Sequence, residues 1–198
     1  MTSFPDYGSE SSSAVRMYLS GELGENPSSL NPYMCSIFYT VDRAIQYIKH
    51  IKALLDEENS IVVCDRYISA NLIHQGAKIK DIEERHKFYD WCYEFETETI
   101  GLPKETVTII LSLPVEISQK LMSVRYNGDS SKKDIHENSI AYLKECYDTS
   151  MDVYKHLKSK GFAWEMVDCK EKETDNIRSI GDIHKEIIEK LKELGIIE

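Results

Sequence analysis

No Gly-x-x-x-x-Gly-Lys-[Ser/Thr] run occurs in the 198 residues. The chain therefore offers no ready cradle of backbone N–H groups and lysine for the phosphates of a nucleoside triphosphate. Basic charge is scarce too: 24 lysines and arginines stand against 34 aspartates and glutamates, a formal net charge of −10. That balance argues against nucleic acid as the main partner, because a phosphate backbone demands a basic face. It also means that an anionic substrate needs a locally basic pocket, since the overall field repels it. The five cysteines, Cys35, Cys64, Cys92, Cys146 and Cys169, are odd in number and form no C-x-x-C pair. Neither a disulfide framework nor a zinc site is suggested, and a reducing cytoplasm fits. No apolar run approaches the ~20 residues of a membrane span, and the opening residues do not read as a signal peptide. The expectation is a single soluble cytoplasmic domain over residues 1–198, long enough to bury its own core.

What is present alternates between two periods. Residues 61–65, 107–113 and 162–168 are short apolar runs that read as strands, the first covered on both faces. Ile45, Ile48, Ile51 and Leu55 line one helical face. Phe88, Cys92, Phe95 and Thr99 line a second, closed by Gly101 with Pro103 just beyond. Ile140, Leu143, Tyr147, Met151 and Tyr154 mark a third helix; Ile177, Ile180, Ile183, Ile187, Leu191 and Leu194 mark the last, with Gly195 after it. Strands separated by helices imply parallel pairing with helices on both faces. The serine-rich stretch 9–13 reads as a capping turn before a helix. The acids at Glu57, Glu58, Glu83 and Glu84, and the remaining ones like them, read as solvated helix faces.

The first strand ends in Asp65-Arg66-Tyr67, and ligands in open α/β sheets sit just beyond the carboxyl ends of strands. Other pieces lie around it in order. Phe4-Pro5 precedes Tyr18-Leu19-Ser20-Gly21; Tyr39-Thr40-Val41-Asp42-Arg43 follows. After the Asp-Arg-Tyr element come His74-Gln75-Gly76, Gly101-Leu102-Pro103, Arg125-Tyr126, Lys132-Lys133-Asp134 and Glu137. From Phe4 to the C-terminus this series resembles the bacterial type of the thymidylate kinase family. The resemblance implies a P-loop NTPase-like α/β fold, a three-layer sandwich with a parallel sheet between helices. It implies ATP-dependent phosphorylation of dTMP to dTDP with Mg²⁺, a homodimer, and neither a nucleic-acid nor a membrane partner. Against the family pattern, Tyr7 stands near a common Arg position, Tyr39 replaces Phe, His74 replaces an aromatic ring, and Ile135 sits where the lid often has Arg. The family's first strand, phosphate-binding loop and following helix have no counterpart here. That strand belongs between 61–65 and 107–113. Its loss would leave buried backbone groups unpaired at about 1–3 kcal/mol each, so an N-terminally incomplete reading is the expectation.

On this resemblance each residue takes a role that its chemistry suits. Arg66 clamps phosphate oxygens bidentately with its planar fork. Asp65 orients Mg²⁺ through water, because that ion keeps part of its hydration shell. The plain alternative for the two is an ion pair closing a strand end. Tyr39 and Arg43, four apart on one helical face, would stack on a pyrimidine and bond its carbonyl edge; alternatively the ring packs in the core and Arg43 pairs with Asp42 or solvent. Phe4, Asn71, His74 and Gln75 join the same substrate pocket. Arg125, Lys132 and Lys133, with Lys120, form a basic lid over the phosphates, or else a solvated loop. Two other readings remain: a non-catalytic nucleotide-binding or partner-binding relative, and a kinase for another deoxynucleotide.

Overall fold

The computed structural model describes residues 1–24, 26, 29–125 and 140–198. They divide into two compact units. The first takes Met1–Lys104 and the start of a long helix as far as Thr149; the second takes the described residues from Glu105 to Arg125 and Ser150–Glu198.

In the first unit β1 (Thr2–Ser3) pairs in parallel with β2 (Cys64–Asp65). The Thr2 and Phe4 N–H groups donate to the Val63 and Asp65 carbonyls at 2.9 and 3.0 Å. Helix α1 (Ser13–Leu19) follows a turn capped by Ser9, so the serine-rich stretch does cap. Helix α2 (Pro32–Gln46) starts where the Asn31 side chain accepts from the Tyr33 and Met34 N–H groups and proline fills the first position. It widens into a π-helical turn, Tyr47–Ile51, and ends as α3 (Lys52–Leu55). Helix α4 (Ile68–Gly76) leaves the end of β2, and α5 (Ile82–Glu94) is capped by Asp81. At Gly76 a Cβ would lie 2.7 Å from Tyr89 Cε1, so only glycine allows α4 and α5 this close. Val15, Tyr18, Leu19 and Cys35 form one buried cluster, joined by Phe38 and Tyr39.

In the second unit β3 (Thr108–Ser112) pairs in parallel with β4 (Trp164–Asp168), five residues in register. Around them lie α6 (Val115–Arg125), the latter half of α7 (Ile140–Ser159) and α8 (Ile180–Glu193), which Ser179 caps. The architecture is α/β with parallel strands among helices, as the alternating pattern implies.

Several expectations about burial fail, each for a physical reason. The strand expected over 61–65 shrinks to Cys64–Asp65, with Ile61 and Val63 59% and 56% exposed; Leu111 in β3 is 55% exposed. Among the described residues β2 has only β1 as a partner and β3 only β4. Backbone groups on an unpaired edge that stay in water bond to it and escape the penalty of burial. Of the face Ile45, Ile48, Ile51 and Leu55, only Ile51 is buried, because α2 turns polar residues inward. Phe88 and Cys92 are buried as expected, but Thr99 is exposed. After Glu94 the chain forms a π turn, Phe95–Thr99, whose wider winding carries Glu96 and Thr97 inside instead. In α7 the buried residues are Tyr142, Cys146, Thr149, Ser150, Val153 and Leu157, not Ile140 or Tyr147. No residue of α8 is fully buried.

Candidate functional site

Beyond β2 the backbone does something unusual. Arg66 has φ 64°, left-handed, where a long side chain is rarely found. Such a conformation costs about 1–3 kcal/mol and tends to persist at working sites. Arg66 and Asp65 are both exposed, and they form no ion pair with each other, so the strand-closing alternative fails. Asp65 Oδ2 instead accepts from Ser3 Oγ at 3.2 Å. Tyr67 turns inward, packs 5.6 Å from the Phe4 ring and donates its hydroxyl to the Pro103 carbonyl at 3.0 Å. Phe4 is buried against it, so it acts first as a wall.

The loop after Phe4 is held from below by Asp42, a fully buried carboxylate on α2. It accepts from the Asp6 N–H at 3.0 Å and from Ser11 Oγ at 2.5 Å; Gln46 adds a bond to Ser11 at 3.0 Å. Arg16 Nη1 donates to the Tyr7 and Ser9 carbonyls at 3.0 and 2.7 Å. The loop is thus shaped by one acid and one base, while Tyr7 stays exposed at its tip. A cavity of about 310 Å³ opens beside Asp6, Gln46 and His50, but none of the sequence-predicted site residues lines it.

Arg43 does not pair with Asp42. Its guanidinium, 1% exposed, lies against Glu96, which is 0% exposed and comes from the π turn 53 residues away. Nε donates to Oε2 at 2.7 Å and Nη2 to Oε1 at 2.5 Å. Nη1 reaches the Tyr67 carbonyl at 3.4 Å. Burial works against the arginine charge, but the pull of Glu96 and its hydrogen bonds outweigh it, and the Arg43 pKa is raised. Asn71 Nδ2 donates to the same Glu96 Oε1 at 2.9 Å and to the Ser36 carbonyl at 3.2 Å. Burial, with the negative charge of Glu96 adding to it, also pushes the Cys92 thiol well up. Two predicted substrate residues, Arg43 and Asn71, are therefore brought together by a third that the sequence reading passed over. Glu96 sits among acids that read as solvent-facing, and only the π turn brings it inside.

Tyr39 and His74 are half-buried nearby in the same unit. Tyr39 meets Tyr18 edge-on at 6.4 Å. His74 stacks with Tyr142 at 6.5 Å, accepts the Tyr142 hydroxyl on its carbonyl at 2.6 Å, and has Cys146 Sγ 3.5 Å from Nδ1. Burial raises the Tyr142 phenol far above its usual range and pushes the Cys146 thiol up to about 12. Both are therefore neutral hydrogen-bonding groups at physiological pH. Gln75 is fully buried, and among the described residues neither amide atom finds a hydrogen-bond partner. Of the lid residues, Arg125 ends α6, whereas Lys132 and Lys133 lie outside the described residues.

The strand end with its exposed Asp65-Arg66 step lies beside the buried Arg43 and the rings of Phe4 and Tyr67 in an α/β framework of parallel strands among helices. Residues 1–178 match the family described as thymidylate kinase, and the chain belongs to that family, whose fold is of the P-loop NTPase type. It is 26% identical over 153 residues to a thymidylate kinase of Leuconostoc mesenteroides, covering 77% of this chain and 66% of that protein. It is 27% identical over 183 residues to a probable thymidylate kinase of Methanococcus aeolicus, covering 92% of this chain and 78% of that one. Among the described residues no helix is long and apolar enough to cross a membrane.

Proposed function

We propose that this chain carries the acceptor side of an ATP-dependent dTMP kinase, which makes dTDP. The observation that carries the reading is Arg66, held exposed in a left-handed backbone at the end of β2 and unpaired with Asp65. Phosphoryl transfer needs positioning and charge neutralisation more than covalent chemistry, and a guanidinium clamp supplies both. Asp65 is an exposed carboxylate with Ser3 as its hydrogen-bonding neighbour. It suits Mg²⁺ held through water, since no cluster of three or more metal-ligating side chains occurs among the described residues. Bound there, the ion would neutralise phosphate charge. Arg43 donates once from each nitrogen, so of the five N–H donors of a guanidinium one remains on Nη1 and one on Nη2 for a pyrimidine carbonyl. Tyr39 and His74 would flank the base, with Phe4, Asn71 and Gln75 behind them. Arg125, Lys132 and Lys133 stay in the proposal as a phosphate-binding lid, on the strength of local basic excess.

A second reading is favoured by one fact: the 198 residues contain no Gly-x-x-x-x-Gly-Lys-[Ser/Thr] loop. A relative that binds nucleotide or a protein partner without transferring phosphate would keep the acceptor pocket alone. Homodimerisation is also proposed, supported by the exposed row Met34, Ile37 and Val41 on α2. Five free cysteines support the cytoplasm.

Titration calorimetry with dTMP, dUMP, dCMP and dGMP tests the pocket. dTMP should bind tightest, and dUMP only modestly less, because one methyl is worth about 1–3 kcal/mol. Equal affinities would remove the base assignment. A coupled ADP-release assay with ATP and Mg²⁺ separates kinase from binding protein. These 198 residues alone should bind dTMP without consuming ATP. In an enzyme that does turn over, Arg66→Ala should lower kcat far more than it weakens dTMP binding.

A further inference from the structure

The cavity of about 310 Å³ in the first unit stands apart from the proposed nucleotide site, since no residue of that site lines it. Its volume is at the small end of ligand pockets, about 300–1,000 Å³. Ile51, Leu54, Ile61 and Val62 give it apolar walls. Ile51 is wound inside by the π turn Tyr47–Ile51, while Ile48 stays in water. Polar groups enter from the loop side. Gln46 is buried, and one N–H of its amide goes to Ser11 Oγ, so Oε1 and a second N–H remain. Asp6 is half-buried, and its Oδ1 accepts the Gly8 N–H at 3.1 Å. Among the described residues no lysine or arginine forms an ion pair with Asp6. Arg16, on the helix after the loop, donates to the Tyr7 and Ser9 carbonyls and to serine hydroxyls instead.

A carboxylate half out of water, without a counter-charge and beside apolar walls, favours a cation whose carbon body fills the rest of the space. The net charge of −10 adds a field of the same sense. A metal ion fits less well. Asp6 and His50 are the two ligating side chains at this cavity, and no group of three or more occurs among the described residues. We propose that the cavity is a second binding site, for a small organic cation: a protonated amine on Asp6, with its apolar body against Ile51, Leu54, Ile61 and Val62. Nucleotide binding elsewhere is not needed for this site. The occupant would bear on the loop after Phe4, because the Asp6 N–H and Ser11 hang on Asp42 and Gln46.

Hexylamine, hexan-1-ol and hexanoate share one body and differ in the charge of the head. Each is titrated into the 198-residue chain, with amide hydrogen exchange followed by mass spectrometry. Hexylamine should bind about tenfold more tightly than hexanol, since hydrogen bonds to an ionised carboxylate are among the stronger ones. Hexanoate should not bind. Exchange over residues 6–12 should slow when hexylamine is present. Asp6→Asn keeps an acceptor for the Gly8 N–H but removes the charge, and should bring hexylamine down to the level of hexanol. Ile61→Trp adds bulk at an exposed position on the cavity wall and should abolish binding of both. Hexylamine that binds undiminished to either variant is held by the acidic surface at large, which overturns the site. Equal affinity for amine and alcohol overturns it too, as does binding with no slower exchange over 6–12, or no binding of hexylamine at all. If Asp6→Asn does not fold, Ile61→Trp and the ratio of amine to alcohol decide.

Discussion

One face of α2 turns Cys35, Ser36, Thr40, Asp42, Arg43 and Gln46 into the protein; the other leaves Met34, Ile37 and Val41 in water. For a lone soluble helix this is inside out, since burial is worth about 25 cal/mol per Å² of apolar surface and charges resist it. The inward face is tolerable because each charge on it has a designated partner. Asp42 holds the loop between Asp6 and Ser11, and Arg43 holds Glu96. The lesson is that hydrogen bonds place this helix alongside the apolar packing of Cys35, Phe38 and Tyr39. Its outward face is where we propose that a second copy docks.

The sharpest way to break the contrast is Arg43→Leu. It strands the Glu96 carboxylate in the interior and should cost about 3–5 kcal/mol in urea unfolding. Arg43→Met combined with Glu96→Leu should recover most of that loss, because two apolar side chains replace both ions together. Recovery would show that the pair exists for the site rather than for the fold. Asp42→Ala comes next. It leaves the Asp6 N–H and the Ser11 hydroxyl without their acceptor and should cost about 2–3 kcal/mol, with faster proteolysis in the stretch 6–12.

A smaller effect, of opposite sign, is expected at Lys78. Its Nζ lies 4.9 Å over the Tyr18 ring, and burial lowers its pKa although the neighbouring Cys35 pulls it the other way. The folded state thus disfavours the charged form, a penalty present below the folded pKa and fading as pH rises towards the unfolded value of 10.5. Lys78→Met should therefore be more stable than wild type at pH 7, with the gap closing near pH 10 in thermal melts. Least of all should Val41→Glu disturb the folded chain, by no more than about 0.5 kcal/mol. Sedimentation should nevertheless shift it from dimer to monomer. A monomeric wild type would deny the outward face its partner.

Local chemistry was legible in the sequence, and distant pairing was not. Asp65-Arg66-Tyr67 announces itself because an apolar strand ending in opposite charges is written in adjacent residues, as are the cap at Ser9 and the stop at Gly101. Arg43 stands out in the sequence only through the resemblance of the stretch 39–43 to the family pattern. Its partner was not legible, since Glu96 faces inward only after a π turn that shifts the helical register. The same loss of register explains why Thr99, which simple helical periodicity puts inside, is exposed. Ile61 and Val63 misled for another reason: apolar strand residues are buried only if a neighbour covers them, and a sequence run does not contain its neighbours.

Among the described residues, two outside glycine adopt positive φ, Asn59 at 60° and Arg66 at 64°. Asparagine tolerates that region through its short polar side chain; arginine has no such excuse. Glycine at 66 would relax the turn and bring no charge. A screen for thermal stability alone would therefore discard Arg66 early, and the better-folded survivors would have lost the guanidinium that we propose as the phosphate clamp. On that proposal the position trades durability for work, in one backbone angle.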